Sequence, residues 1–241
     1  MLEGAKRIIE LFNDDEFKAI IIEGDHGYGK SSYANRLISE VYSKDGVHGN
    51  WDTTQLFPGH LGFIPKHVID LWRKKRKRDK CFHWDDAGYW LHNLDFQNKF
   101  VKDVGKYMQV VRDDWACVIF TCISREDVSS KIRGLRNAIV VEITKNGTDT
   151  GHPNRRTASA YVLRKGWKGR EYKDYQWEEF YDSHVPGEYI TDERGRVVKS
   201  SGFYGWYKPL RSEYTKIAKE ILKKDIDSDD ELNHDPLKSK K

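Results

Sequence analysis

The chain of 241 residues is poor in several features. No apolar run approaches the roughly 20 residues that a membrane helix needs; the longest, such as residues 116–120, are strand-sized. A membrane partner is therefore not expected. Cysteine is scarce: Cys81, Cys117 and Cys122 are the three. An odd number, without metal-ligand spacing and in apolar stretches, reads as buried free thiols in a reducing compartment. The opening segment MLEGAKRIIELF has neither a long apolar core nor a small-residue cleavage site. No secretory leader is expected, and the expected location is the cytoplasm. Neither sign of charge dominates, since 42 Lys and Arg stand against 38 Asp and Glu, a net +4 too small to name a partner. No internal repeat is visible.

What is present is a chain with 38% hydrophobic and 33% charged residues, long enough for one medium domain and an appendage or for two small domains. Residues 2–12 have the spacing of a short amphipathic helix. KAIIIEG, residues 18–24, is a β-branched run stopped by glycine, which predicts a buried strand. Helical spacing follows over 30–43, then a loop over 44–62, and a helix opening at Pro65. KCFHWDD (80–86) predicts a strand ending in two acids, 95–114 a helix, and WACVIFTC (115–122) another buried strand. A helix over 125–133 and a strand over 137–144 complete the alternation. Strands alternating with helices imply parallel βαβ units, so the expected fold is a three-layer α/β core with a mainly parallel sheet. The core is expected over residues 1–150. A β-hairpin-rich basic and aromatic extension is expected over 151–207, a terminal helix over 208–224 and a disordered tail over 225–241.

The chemistry is concentrated in GDHGYGKSS. Gly24-Asp25-His26-Gly27-Tyr28-Gly29-Lys30-Ser31 satisfies G-x-x-x-x-G-K-[ST] in full, with Ser32 following. Glycines let successive N–H groups curl around phosphate oxygens, and the following helix turns its unpaired N–H groups toward the anion. A loop of this kind predicts Lys30 on the β- and γ-phosphates and the Ser31 hydroxyl on Mg²⁺. The loop lies between a predicted strand and a predicted helix, which is the context the motif requires. Asp85 and Asp86 supply the acids that should complete the site: Asp85 for Mg²⁺, Asp86 to orient or deprotonate the attacking water. His83 reads as a packing residue of the strand.

Three nucleotide-using classes share such a loop. Asp85-Asp86-Ala87-Gly88 formally matches the D-x-x-G element of GTPases, but Thr144-Lys145-Asn146-Gly147 has glycine where a guanine-reading acid belongs. A small-molecule kinase needs an Arg-rich lid, and RKKRKRDK lies ahead of the acid strand, where no such lid is expected. The layout resembles the P-loop ATPases with an additional strand between the phosphate-loop and acid strands, the AAA+ and RecA-like group. Within that group it is most similar to the compact ATPases of archaeal viruses and plasmids, which pair a phosphate loop with a DDAG acid strand. The resemblance covers roughly residues 16–144. It implies ATP and Mg²⁺ as cofactors and a γ-phosphate sensor at the tip of the inserted strand, Thr121 or Ser124. It also implies an arginine ahead of the fifth strand, Arg133 or Arg136, acting on a neighbouring subunit of a homo-oligomer.

Two uses of the nucleotide remain open. Arg73, Lys74, Lys75, Arg76, Lys77 and Arg78 form a cationic run, and residues 164–177 interleave cations with aromatics. Both patterns suit a nucleic-acid motor. The alternative is a nucleotide-driven switch that remodels other proteins, with the hairpin and tail as docking surfaces.

Overall fold

The computed structural model describes residues 1–45, 49–95, 97–145 and 152–228. They form two compact units, Met1–Pro186 and the unit that begins at Gly187.

The first unit is built on a seven-stranded sheet in the order β2-β3-β4-β1-β5-β6-β7. Strands β1 (Lys18–Glu23), β3 (Asp79–Trp84), β4 (Trp115–Thr121) and β5 (Ile139–Lys145) run parallel. A two-residue strand, β2 (Leu61–Gly62), pairs in parallel with β3 at one edge. All seven residues of β4 are buried, the mark of a strand covered on both faces. The period of two divides the layers. Ala19, Ile21, Phe82, Trp84, Val118 and Phe120 share one core with Val68 and Trp72 of α4 (Pro65–Arg73) and Val104 of α6 (Lys99–Tyr107). The residues between them face the opposite layer, where α1 (Glu3–Asn13) packs beside α2 (Lys30–Val41). The same parity turns His83, Asp85 and Thr121 toward α2. Cys81, Cys117 and Cys122 are free and buried.

Several local expectations change. The loop expected over 44–62 carries α3 (Leu56–His60), because Leu56 and Phe57 are buried, as well as β2. The helix expected over 125–133 divides into a 3₁₀ turn, Arg125–Asp127, and the four-residue α7 (Ser130–Arg133). Between α4 and α6 lies a further short helix, α5 (Ala87–Trp90).

The larger correction concerns the hairpin. β6 (Arg155–Lys165) and β7 (Glu171–Asp182) are not a separate extension beginning at residue 151. β6 pairs antiparallel with β5 from Ile139↔Val162 to Lys145↔Arg156, so the hairpin continues the core sheet, and the boundary between compact units falls after Pro186. In composition the hairpin stands apart from the core because its outer strand is mostly exposed and mixes charges with aromatics, while its inner strand buries Ala158, Ala160, Tyr161 and Val162. The turn expected just after residue 145 lies, over 146–151, outside the described residues.

The second unit comprises a two-stranded antiparallel hairpin, β8 (Glu188–Thr191) and β9 (Val197–Ser201), with α8 (Gly202–Ser228) against it. The terminal helix thus begins six residues before the expected Lys208. Pro209 lies inside it and lacks the N–H that would reach the Gly205 carbonyl. The Ser200 hydroxyl donates to that carbonyl instead, at 3.0 Å. Of the tail expected over 225–241, residues 229–241 lie outside the described residues.

The cationic run between α4 and β3 is partly internal structure. Arg78 donates to the carbonyls of Phe12, Glu16, Leu11 and Arg112, at 2.7, 2.6, 3.3 and 2.9 Å, and so closes the C-terminal end of α1. Lys75 pairs with Asp79 and stands 4.2 Å over the Trp115 ring. Burial alone would raise the Asp79 carboxyl, but hydrogen bonds from His60, Lys75 and Tyr42 outweigh it and hold Asp79 well below the usual carboxylate range. Arg73, Lys74, Arg76 and Lys77 remain exposed. Arg78→Ala is expected to destabilise the chain by about 3 kcal/mol, since charge-assisted bonds to helix-end carbonyls are lost. Arg78→Lys should recover little, because one ammonium cannot serve carbonyls spread over a guanidinium fork. The check is the urea midpoint at unchanged m-value.

Candidate nucleotide-binding site

The end of β1 turns directly into the glycine loop. Gly24, Gly27 and Gly29 have φ of +143°, +76° and +94°, values that side chains with a Cβ rarely adopt. At Gly24 a Cβ would also stand 2.7 Å from the Ile143 carbonyl oxygen. Gly29 is the N-cap of α2, and no side chain caps that helix. Its first-turn N–H groups therefore face the loop's concavity without a side-chain acceptor, the arrangement that receives phosphate oxygens. Lys30 bends back over the loop and donates to the carbonyls of Gly24 and Asp25, at 2.6 and 2.9 Å. The loop is held at both ends. Gly24 N–H donates to the Ile123 carbonyl at 3.0 Å, and the Tyr181 hydroxyl donates to the Gly29 carbonyl at 3.0 Å.

Asp85 follows β3 and is fully buried. Its Oδ1 accepts the Ser31 hydroxyl at 2.7 Å, the Thr121 hydroxyl at 2.8 Å and the Asp86 N–H at 3.2 Å. Ser31 and Asp85 thus bring two hard oxygen donors together beside the loop, a donor set that suits Mg²⁺. Asp86 is exposed, and its backbone is left-handed, φ 52° and ψ 34°. That conformation costs energy for a residue with a Cβ, and such residues concentrate at functional sites. The Thr121 hydroxyl oxygen accepts the Asp86 N–H at 2.8 Å, so one threonine fixes both acids.

Other expected site residues lie in different places. The Ser124 hydroxyl accepts the Glu126 N–H at 3.2 Å while Asp127 accepts the Ser124 N–H, a capping box on the 3₁₀ turn. Of the two candidate sensors, Thr121 is the one joined to Asp85. Arg133 is paired with Glu126 of its own chain. Arg136 is exposed and acts electrostatically on Lys18, at the start of β1, a strand's length from the loop. His26, Tyr28 and Ser32 belong to the loop and the first turn of α2.

Two groups of residues were not anticipated. His83 is fully buried, with Nδ1 2.9 Å from Asn35 Oδ1 and Nε2 3.5 Å from Asp85 Oδ1, so it joins α2 to the acid as well as packing. Asn35 stands one turn beyond Ser31, and a polar residue beside the apolar stripe of α2 was the available signal. The second group is the clamp from β7. Glu179 accepts the N–H groups of Glu3 and Gly4, at 2.6 and 3.2 Å, and the Tyr33 hydroxyl at 2.6 Å. Tyr181 lies against Tyr33 with ring centroids 4.9 Å apart. No local motif marks these residues.

No family model matches the chain. An uncharacterized protein, B-251 of Sulfolobus spindle-shape virus 1, is 30% identical over 145 residues, 58% of this chain and 57% of that protein. The chain thus spans less than two thirds of that relative. Among solved structures, the N-terminal domain of zonular occludens toxin from Neisseria meningitidis aligns with a TM-score of 0.41 and 12% identity. That alignment covers 68% of this chain and 95% of the toxin domain. The KaiC-like protein PH0186 of Pyrococcus horikoshii OT3 aligns at 0.37 and 10%, covering 76% and 89%. Scores this low bear on neither activity nor partner.

Thr121→Val should lower stability by about 2 kcal/mol, because a buried carboxylate loses a donor and the Asp86 N–H its acceptor. Thr121→Ser, which keeps the hydroxyl, should cost clearly less in the same urea titration.

Proposed function

We propose that the chain is a Mg²⁺-dependent ATPase of the P-loop class that works on nucleic acid. The observation that carries the reading is the Ser31–Asp85 junction beside a loop whose three glycines take positive φ. On binding, Lys30 would leave the carbonyls of Gly24 and Asp25 for the β- and γ-phosphates, and the loop N–H groups and the first turn of α2 would hold the remaining oxygens. Ser31 and Asp85 would hold Mg²⁺, which supplies charge neutralisation of the polyphosphate. Asp86, exposed at the mouth, is the candidate to orient or deprotonate water, with Thr121 fixing its backbone. The position of β4 between β1 and β3 supports the additional-strand type.

Support for nucleic acid comes from two surfaces. Arg73, Lys74, Arg76 and Lys77 present cations at the edge where the parallel strands begin. On the hairpin, Trp167, Tyr172 and Tyr175 are 87%, 54% and 65% exposed, among Lys165, Lys168 and Arg170. ATP turnover is expected to rise with added DNA or RNA and to fall with salt. Lys30→Ala should lose ATP binding, and Asp86→Asn should bind ATP while turning over about 10²-fold or more slowly. Full turnover in Lys30→Ala would end the ATPase reading. Turnover indifferent to any nucleic acid would leave the protein-remodelling switch.

The exposure of Arg136 supports action on a neighbouring subunit, whereas Arg133 would first have to leave Glu126. Arg136→Ala should then bind ATP yet hydrolyse it slowly, and mixing it with Lys30→Ala protein should restore activity. A specific rate independent of protein concentration would remove the homo-oligomer from the proposal.

A further inference from the structure

Arg156 is the second residue of β6 and is only 7% exposed. Its Nη1 donates to the carbonyls of Pro153 and Arg155, at 2.7 and 2.8 Å. Its Nε is buried without a hydrogen-bond partner, and among the described residues no carboxylate pairs with the guanidinium. Two neutral carbonyls do not offset the desolvation of a full charge, so buried cations are normally paired with an acid or an anion. The first is missing here.

The surroundings indicate which anion. A Cβ on Gly29 would stand 3.8 Å from Arg156 Cγ and 3.1 Å from the Tyr181 hydroxyl. Arg156 therefore rests on the last glycine before Lys30, beside the hydroxyl that fixes the Gly29 carbonyl. Its guanidinium begins two bonds beyond Cγ, within a side chain's reach of the loop. Arg36 is the other cation acting on Tyr181, and its Nε is likewise buried without a partner, but Arg36 donates to the His184 carbonyl at 2.8 Å, faces the Trp51 ring at 5.9 Å and does not stand against Gly29 as Arg156 does. The Nε edge of a guanidinium offers parallel donors that match two phosphate oxygens.

We propose that Arg156 is a phosphate ligand of the bound nucleotide, supplied by β6 to the loop of its own chain. This rests on the reading of the glycine loop as a nucleotide site and adds a cation that no loop motif specifies. The free protein then holds an uncompensated charge that the polyphosphate neutralises.

The test uses the full chain and Mg-ATP, with wild type, Lys30→Ala, Arg156→Gln and Arg156→Lys compared by titration calorimetry and thermal unfolding. Arg156→Gln should weaken Mg-ATP binding about tenfold or more, the effect of one charge-assisted hydrogen bond, with Arg156→Lys intermediate. Without nucleotide, Arg156→Gln should melt at or above the wild-type temperature, since the unpaired charge is gone. Unchanged Mg-ATP affinity in Arg156→Gln overturns the proposal. So does a nucleotide-free variant that melts well below wild type, because the charge would then be stabilising the fold rather than awaiting a ligand. If wild type and Lys30→Ala bind Mg-ATP alike, or neither binds, the nucleotide reading fails and this proposal with it. If only Lys30→Ala is impaired, the failure belongs to Arg156 alone.

Discussion

A fully buried carboxylate at the end of β3 is the constraint around which the first unit is arranged. A carboxyl group held away from water survives only if hydrogen-bond partners surround it. Those donors come from three elements: Ser31 from α2, Thr121 from β4 and the N–H of Asp86. For them to converge, β1, β3 and β4 must run parallel and end at one level, with α2 starting where β1 stops. The register His83↔Ile119 and Ile22↔Thr121 achieves this. Topology and site are one geometric requirement.

The hairpin extends that requirement outward. Tyr181 holds the Gly29 carbonyl, and the Tyr161 hydroxyl donates to Glu23, the last residue of β1, at 2.9 Å. Both ends of the glycine loop are therefore tied to β6 and β7. The tip of the same hairpin reaches Arg125 through Glu171 at 3.6 Å, a partly exposed pair of modest strength. The strands that carry the outward-facing aromatics are thus the strands that brace the loop. The connection between them runs through hydroxyls and carboxylates of the same two strands.

Much of the core was legible because its signals are local. The β-branched run of β1, the glycine spacing and the pair of acids each announce themselves within a dozen residues, and the period of two fixes which side chains share a face. The hairpin's place in the sheet is not legible because strand pairing is a long-range property: Lys145↔Arg156 leaves no trace in either segment alone. The structural part of the cationic run is hidden for a similar reason. Arg78 and Lys75 have the composition of a surface patch, and only the approach of α1 and Trp115 commits them to internal roles. Glu179 and Tyr181 carry no motif, because what they recognise is backbone from distant parts of the chain.

The three buried cysteines have a practical consequence. Burial pushes all three thiols up, so in the folded state none carries the thiolate that alkylating reagents attack. Cys81 and Cys117 stand opposite each other in the sheet on the face covered by α1 and α2, and become reactive only when that layer lifts. Cys122 sits just past Thr121, at the mouth of the loop, with its N–H on the Ile22 carbonyl. Alkylation rates at these positions therefore time two separate events, the lifting of the α1 and α2 layer at Cys81 and Cys117 and the loosening of the β4 end at Cys122.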